Sequence, residues 1–189
     1  MTEHDPAAAG AVAGESAGSG VRVFLSHASA DAEMARRVCA ELERVGLPCW
    51  IAPRDIRPGG DWSEEILAGI DGASALVVLV SPTSNASRQV AREVERADDR
   101  GLPLLPFRLV DIEPTGRLEY FLSGRQWIDA FTPPFAARIE DLVEGLTDSG
   151  LAAADTRTPA PLASTPDIPP DDWDRRRASG WLRRFLDDR

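Results

Sequence analysis

Ala75-Leu-Val-Val-Leu-Val80 is the most apolar run in the 189-residue chain. Six such residues in a row do not form the single greasy face of an amphipathic element. A strand apolar on both faces belongs in the middle of a parallel sheet, covered by helices above and below. Working outward, Val21-Arg-Val-Phe-Leu-Ser26 reads as a second buried strand and Leu47 to Ile51 as a third. Leu102 to Leu109 is another, with Pro103 and Pro106 suggesting bends or an edge. Gln126-Trp-Ile128 is a short last strand.

Helices fill the gaps. Met34, Val38, Leu42 and Val45 recur at helical spacing until Gly46 stops them. Asp61-Trp-Ser-Glu64 has the form of a capping box, and Trp62, Ile66 and Ile70 continue the helix. Ser84 or Ser87 can cap a helix that buries Val90, Val94 and Ala97. Leu118 to Leu122 reads as a short helix, and Phe135, Ile139, Leu142, Val143 and Leu146 as a longer one. Strand and helix alternate five times, which predicts a flavodoxin-like, doubly wound five-stranded parallel sheet in three α/β/α layers. Ligands of such sheets bind beyond the carboxyl ends of the strands. Here that end is built from Ser26 to Asp31, Ala52 to Asp61, Ser81 to Ser87 and Val110 to Gly116.

Composition narrows the function. The chain is 43% hydrophobic and 28% charged, as soluble globular domains are. Its net charge of -10 disfavours a general nucleic-acid binder, which would be basic. Cys39 falls in a helix and Cys49 in a strand, so two buried free thiols are expected, in keeping with a reducing cytosol. Those two cysteines with His4 and His27 are too few for a metal centre. Residues 1–20 have neither the basic start nor the apolar run of a secretory signal. No stretch is long enough to cross a membrane. A cytoplasmic location is therefore expected.

The domain is expected over residues 21–147, between a disordered tail (1–20) and a Pro/Ala-rich flexible linker (148–170). Residues 171–189 place Trp181, Leu182, Phe185 and Leu186 on one helical arc. That short C-terminal helix either docks a partner protein or packs back on the domain. Nucleotide motifs are missing: no GxGxxG follows the first strand and there is no Walker A loop. Aspartyl phosphotransfer is disfavoured too, because the first and third strands end in Ser26-His-Ala-Ser29 and Ser81-Pro-Thr-Ser84 rather than in acidic residues.

Val23-Phe-Leu-Ser-His-Ala-Ser-Ala-Asp31 resembles the opening box of Toll/interleukin-1 receptor (TIR) domains. Trp50-Ile-Ala-Pro-Arg-Asp-Ile-Arg-Pro-Gly-Gly-Asp-Trp62 is similar to their BB loop in its bacterial form. Val78-Val-Leu-Val-Ser-Pro82 with Ser87 to Glu93, and then Gln126-Trp-Ile-Asp129, match the third strand with its helix and the last strand. The resemblance covers about two-thirds of the chain, in order and spacing.

The resemblance implies one of two functions. Some TIR domains are catalytically silent modules that dock other TIR domains through the BB loop. Others cleave the nicotinamide–ribose bond of NAD+, giving nicotinamide and ADP-ribose or a cyclic isomer. The latter implies a self-associating NADase in bacterial defence or stress signalling, with NAD+ as substrate and no cofactor. Its essential glutamate maps onto Glu93. A fixed carboxylate there can hold ribose hydroxyls and stabilise the positive charge that builds on the sugar. The bland alternative is a surface glutamate paired with Arg96.

Trp62 either contacts the nicotinamide end or is core beside Ile66 and Ile70. Ser26, His27 and Ser29 can offer hydrogen bonds to ribose or phosphate, although Ser29 or Asp31 serves equally as a helix cap. Asp55 and Ser84, on the same edge, complete the expected substrate-binding set. Arg54, Ile56, Arg57, Pro58 and Gly59 form the expected TIR–TIR interaction loop. The two arginines there either meet phosphates or a neighbouring subunit, or are simply solvated. Two departures stand out. Gln89 occupies the place of a tryptophan found in many TIR NADases, and Val110-Asp-Ile-Glu113 lacks a second one, a role that Tyr120 or Phe121 partly fills.

Overall fold

In the computed structural model, which describes residues 22–151, Ala75–Val80 is strand β3. All six of its residues are buried, as a strand covered on both faces requires. β1 (Val23–Ser26) pairs with it in parallel on one side and β4 (Leu104–Arg108) on the other. β2 (Cys49–Trp50) lies outside β1, and β5 (Ile128–Asp129) outside β4. The strand order is 2-1-3-4-5, all parallel. The connections after β1 and after β3 therefore lead to opposite sides, and the switch in strand order lies between those strands, beside Ser26.

Side chains alternate across the sheet and build two cores. Val23, Leu25, Val77 and Leu79 face α1 (Ala32–Arg44) and α6 (Phe135–Asp148). Phe24, Leu76, Val78 and Val80 face α2 (Trp62–Asp71), α4 (Arg88–Asp99) and α5 (Gly116–Leu122). The expected three-layer α/β/α architecture is what forms. A single turn, α3 (Pro82–Asn85), precedes α4.

Local chemistry sets the boundaries. Gly46 adopts φ 83°, the left-handed stop expected after α1. Asp61 caps α2 by accepting the backbone N–H groups of Ser63 and Glu64 at 2.9 and 3.0 Å. Of the two serines considered for α4, Ser87 is the cap, its hydroxyl accepting from the Val90 N–H. Gly69 lets α2 close onto the sheet: a Cβ there would lie 2.7 Å from the Trp50 ring, which stacks on Phe24 at 4.8 Å.

Two expectations change. β4 is not an edge strand, despite Pro103 and Pro106. The Arg108 carbonyl accepts from Ala130, so alternation turns the Pro106 nitrogen to the same side. β5 pairs only with Phe107 and Arg108, so the proline's missing donor breaks no ladder bond. Residues 148–151, expected in the linker, are part of the fold: α6 runs through Asp148, and Leu151 is buried in the α1/α6 core. The tail at 1–20, the rest of the linker and the C-terminal helix at 171–189 lie outside the described residues.

Candidate functional site

Ser26 ends β1 at the switch point, and alternation from Phe24 turns it toward α4. Val90, Ala91, Val94 and Ala97 pull α4 onto the sheet, and Glu93 goes under with them. Glu93 is only 6% exposed and Ser26 only 1%. The Ser26 hydroxyl donates to Glu93 Oε2 at 2.5 Å, and Gln89 Nε2 donates to Oε1 at 3.0 Å. The surface-pair reading of Glu93 is thereby overturned, because Arg96 instead binds Asp71 on α2 at 2.9 Å. Among the described residues no cation pairs with Glu93. Burial pushes its carboxyl above the usual value, against the lowering effect of the Ser26 and Gln89 hydrogen bonds. A carboxylate offers about four acceptor positions. Two are taken by Ser26 and Gln89, so acceptor capacity remains for further donors.

A second buried polar knot lies at the same end of the sheet. Asp31 stands at the cap of α1 but makes no capping hydrogen bond, and Ser29, which is exposed, lies inside the short turn Ser29–Asp31, whose cap position is Ala28. Their capping reading is corrected accordingly. The Asp31 carboxylate instead accepts from Ser81 Oγ at 2.6 Å and Thr83 Oγ1 at 2.9 Å. It ties the loop after β1 to the loop after β3. Ser84 is wholly buried, and its hydroxyl is engaged with the Ser81 backbone, accepting from its N–H at 2.8 Å and donating to its carbonyl at 3.0 Å. That closes a reciprocal cap on α3 and gives Ser84 a holding role.

His27 is half-buried directly after Ser26. Burial lowers its pKa, opposed by the Leu25 backbone and Asp31 and assisted by Arg36. That favours a neutral imidazole. Trp62 is 51% exposed at the start of α2, so the reading that buried it beside Ile66 and Ile70 is overturned.

The BB loop is braced at its front and open at its tip. Arg54 is no free loop cation: it donates to the Cys49 carbonyl at 2.7 Å and to Asp55 at 2.8 Å, and pairs with Glu43 at 2.9 Å. Asp55 also accepts the Ile51 N–H at 2.8 Å, so both side chains are committed to holding the loop. Ile56 packs against the α2/α4 core. Arg57 is 81% exposed yet binds Glu65 at 2.7 Å. Pro58 and Gly59 are exposed, with Gly59 at φ 83°. A separate cavity of about 190 Å³, lined by Ala32, Arg36, Ile51, Ala52, Pro53 and Arg54, opens between α1 and this loop. It belongs to the α1 side of the sheet, whereas Glu93 sits on the α2/α4 side.

Sequence reasoning thus found Ser26 and Glu93 but missed the Asp31–Ser81–Thr83 knot, and saw Gln89 only as a missing aromatic. Gln89 stands four residues before Glu93, a spacing that places the two side chains together on a helix. The partners of Asp31 lie 50 and 52 residues away and left no local signal.

The family profile described as TIR domain matches residues 23–143, well over half of the chain. This chain belongs to the TIR domain family. Among solved structures, the TIR domain of the Toll-related receptor TRR-2 from Hydra magnipapillata is similar at 19% identity. That match covers 68% of this chain and 97% of that one, with a TM-score of 0.57. A prokaryotic SEFIR domain is similar at 13% identity, covering 74% and 100%, with a TM-score of 0.56. Likeness at such identities speaks for the fold, and these two share the architecture of this TIR domain. No curated protein matches the chain. Among the described residues no helix is long and apolar enough to cross a membrane.

Proposed function

We propose that this TIR domain is an NAD+ glycohydrolase with Glu93 as its catalytic carboxylate. The observation that carries the reading is Glu93 itself, a buried carboxylate at the switch point, held by two neutral donors and, among the described residues, with no cation to neutralise it. Leaving a carboxylate so placed is costly for folding, and such costs concentrate where chemistry needs them. In the reaction the C1′–N bond breaks and its electron pair passes to the nicotinamide ring, which leaves neutral. The sugar carries the positive charge until a water oxygen bonds to C1′ and its proton departs to solvent. Glu93 accepts the ribose hydroxyls and opposes that charge through a medium that screens little. Attack by another atom of the same nucleotide in place of water would give the cyclic isomer.

The resemblance adds activation by self-association and a place in bacterial defence or stress signalling. The exposed Arg57, Pro58, Gly59 and Trp62 supply a surface for TIR–TIR contact. That surface, with Gln89 in place of an aromatic, also favours a second reading: a catalytically silent TIR docking module. Nicotinamide release separates the two. Concentrated protein is incubated with NAD+, with and without Glu93→Ala. Release that the substitution abolishes supports the enzyme. No release from protein that has visibly oligomerised supports the docking module.

A further inference from the structure

Cys39 on α1 and Cys49 on β2 are both buried and unbridged. Arg54 joins them: its Nη1 donates to the Cys39 sulfur at 3.1 Å while its Nη2 donates to the Cys49 carbonyl at 2.7 Å. The Cys49 thiol lies 3.7 Å from the Leu47 carbonyl, and both cysteines belong to the same buried core between the sheet and α1. Two sulfurs and a guanidinium in one pocket make an environment that favours a thiolate on the sulfur nearest the cation. The neighbouring Cys49 thiol and then the Arg54 charge pull the Cys39 thiol down, while burial and Glu43, itself paired with Arg54 at 2.9 Å, oppose them. The Cys49 thiol is pushed up, first by the Cys39 thiol and then by burial. The Arg54 contact thus favours Cys39 over Cys49 as the nucleophile.

Arg54 links the buried thiols to a cavity and to the loop. The α1-side cavity, about 190 Å³, has Arg54 in its wall and is roomy enough for a molecule the size of water or peroxide. Arg54 also carries the BB loop, through Asp55, whose carboxylate receives the Ile51 N–H.

We propose that Cys39 is an oxidation site for small peroxides, resolved by Cys49 into a disulfide whose formation loosens the BB loop. The Cys39 thiolate attacks the peroxide, forming an S–O bond as the O–O bond breaks and hydroxide leaves. The Cys49 sulfur then attacks the Cys39 sulfenic acid, forming the S–S bond as the S–O bond breaks. The departing hydroxide takes the Cys49 proton, so two thiols and one hydrogen peroxide give one disulfide and two waters. The bridge turns the Cys39 sulfur away from the Arg54 Nη1 that donates to it and draws α1 and β2 together beneath the Arg54–Cys49 contact.

The test treats the reduced full-length chain with hydrogen peroxide and reads two things: peptide masses after thiol blocking, and amide hydrogen exchange. The expected result is a Cys39–Cys49 linked peptide, reversed by dithiothreitol. Several-fold faster exchange at Ile51, Asp55 and Ile56 should accompany it, with the β3 amides unchanged. In Cys49→Ala the same peroxide should leave Cys39 as a sulfenic acid that dimedone traps, with loop exchange as in the reduced protein. Full blocking of both thiols after peroxide overturns the proposal. So does linkage that leaves the loop's exchange unchanged, or linkage that appears only with faster exchange in β3, which would report unfolding.

Discussion

At the scale of single residues, Glu93 is the buried carboxyl of the candidate site. Its folded pKa lies above its unfolded value, so folding favours the protonated form. That contribution is complete below the unfolded pKa and is lost as pH rises through the folded one. Above the folded pKa the ionised carboxylate therefore weighs against stability. Glu93→Gln keeps the shape, removes the charge and should stabilise the fold there by on the order of 1 kcal/mol. Denaturant midpoints should show that gain shrink in acid, where wild-type Glu93 is protonated as well; a gain that does not depend on pH would point elsewhere. Ser26→Ala removes one of the hydrogen bonds that lower the Glu93 pKa. The acid limb of the nicotinamide-release profile should then move to higher pH, and an unmoved limb would mean Glu93 does not set it. Glu93 was visible in the sequence through a matched box and a helical stripe. Its partner Ser26 stands 67 residues away, and only the sheet brings the two together.

At the scale of elements, close packing of α2 on the sheet outweighs helix propensity. Alanine is the better helix former than glycine by about 1 kcal/mol. At Gly69, however, a Cβ would meet the Trp50 ring at 2.7 Å, and Trp50 is already fixed on Phe24. Overpacking of that kind costs about 1–3 kcal/mol. Gly69→Ala should lower the denaturation midpoint, and a rise would show that Trp50 has room to yield. Asp61→Ala should cost about 1 kcal/mol by stripping the α2 cap. The cap was legible beforehand because Asp61 stands next to its own targets. Trp62, one residue on, was not: helical spacing set it beside Ile66 and Ile70, yet the first turn of α2 leaves it in solvent. Pro106 misled in the opposite direction, since a proline rules out a central strand only where its missing donor would have been used.

At the scale of the whole molecule, alternation and strand order put Ser26, Asp31, Ser81 and Glu93 at one end of one sheet. The structure gives the sheet the order 2-1-3-4-5. A doubly wound parallel sheet with β3 in its middle followed from the fully apolar β3 and from the regular alternation of elements. The linkage between loops did not, because hydroxyl–carboxylate contacts carry no periodicity. A chain of net charge -10 repels its own copies, and salt screens that repulsion over a Debye length of about 8 Å at physiological strength. If assembly proceeds through the open tip of the BB loop, added salt should shift sedimentation profiles toward larger species. A shift toward monomer would show that opposite charges hold the copies together instead.

The most direct test of the central claim compares nicotinamide release from NAD+ by the wild-type chain and by Glu93→Gln, at equal concentration and matched oligomeric state. The prediction is measurable release by the wild type and a loss of at least about 100-fold in the variant, the scale of removing one transition-state contact, with the variant no less stable. Release that survives Glu93→Gln, or that is absent from both proteins once assembled, would contradict it.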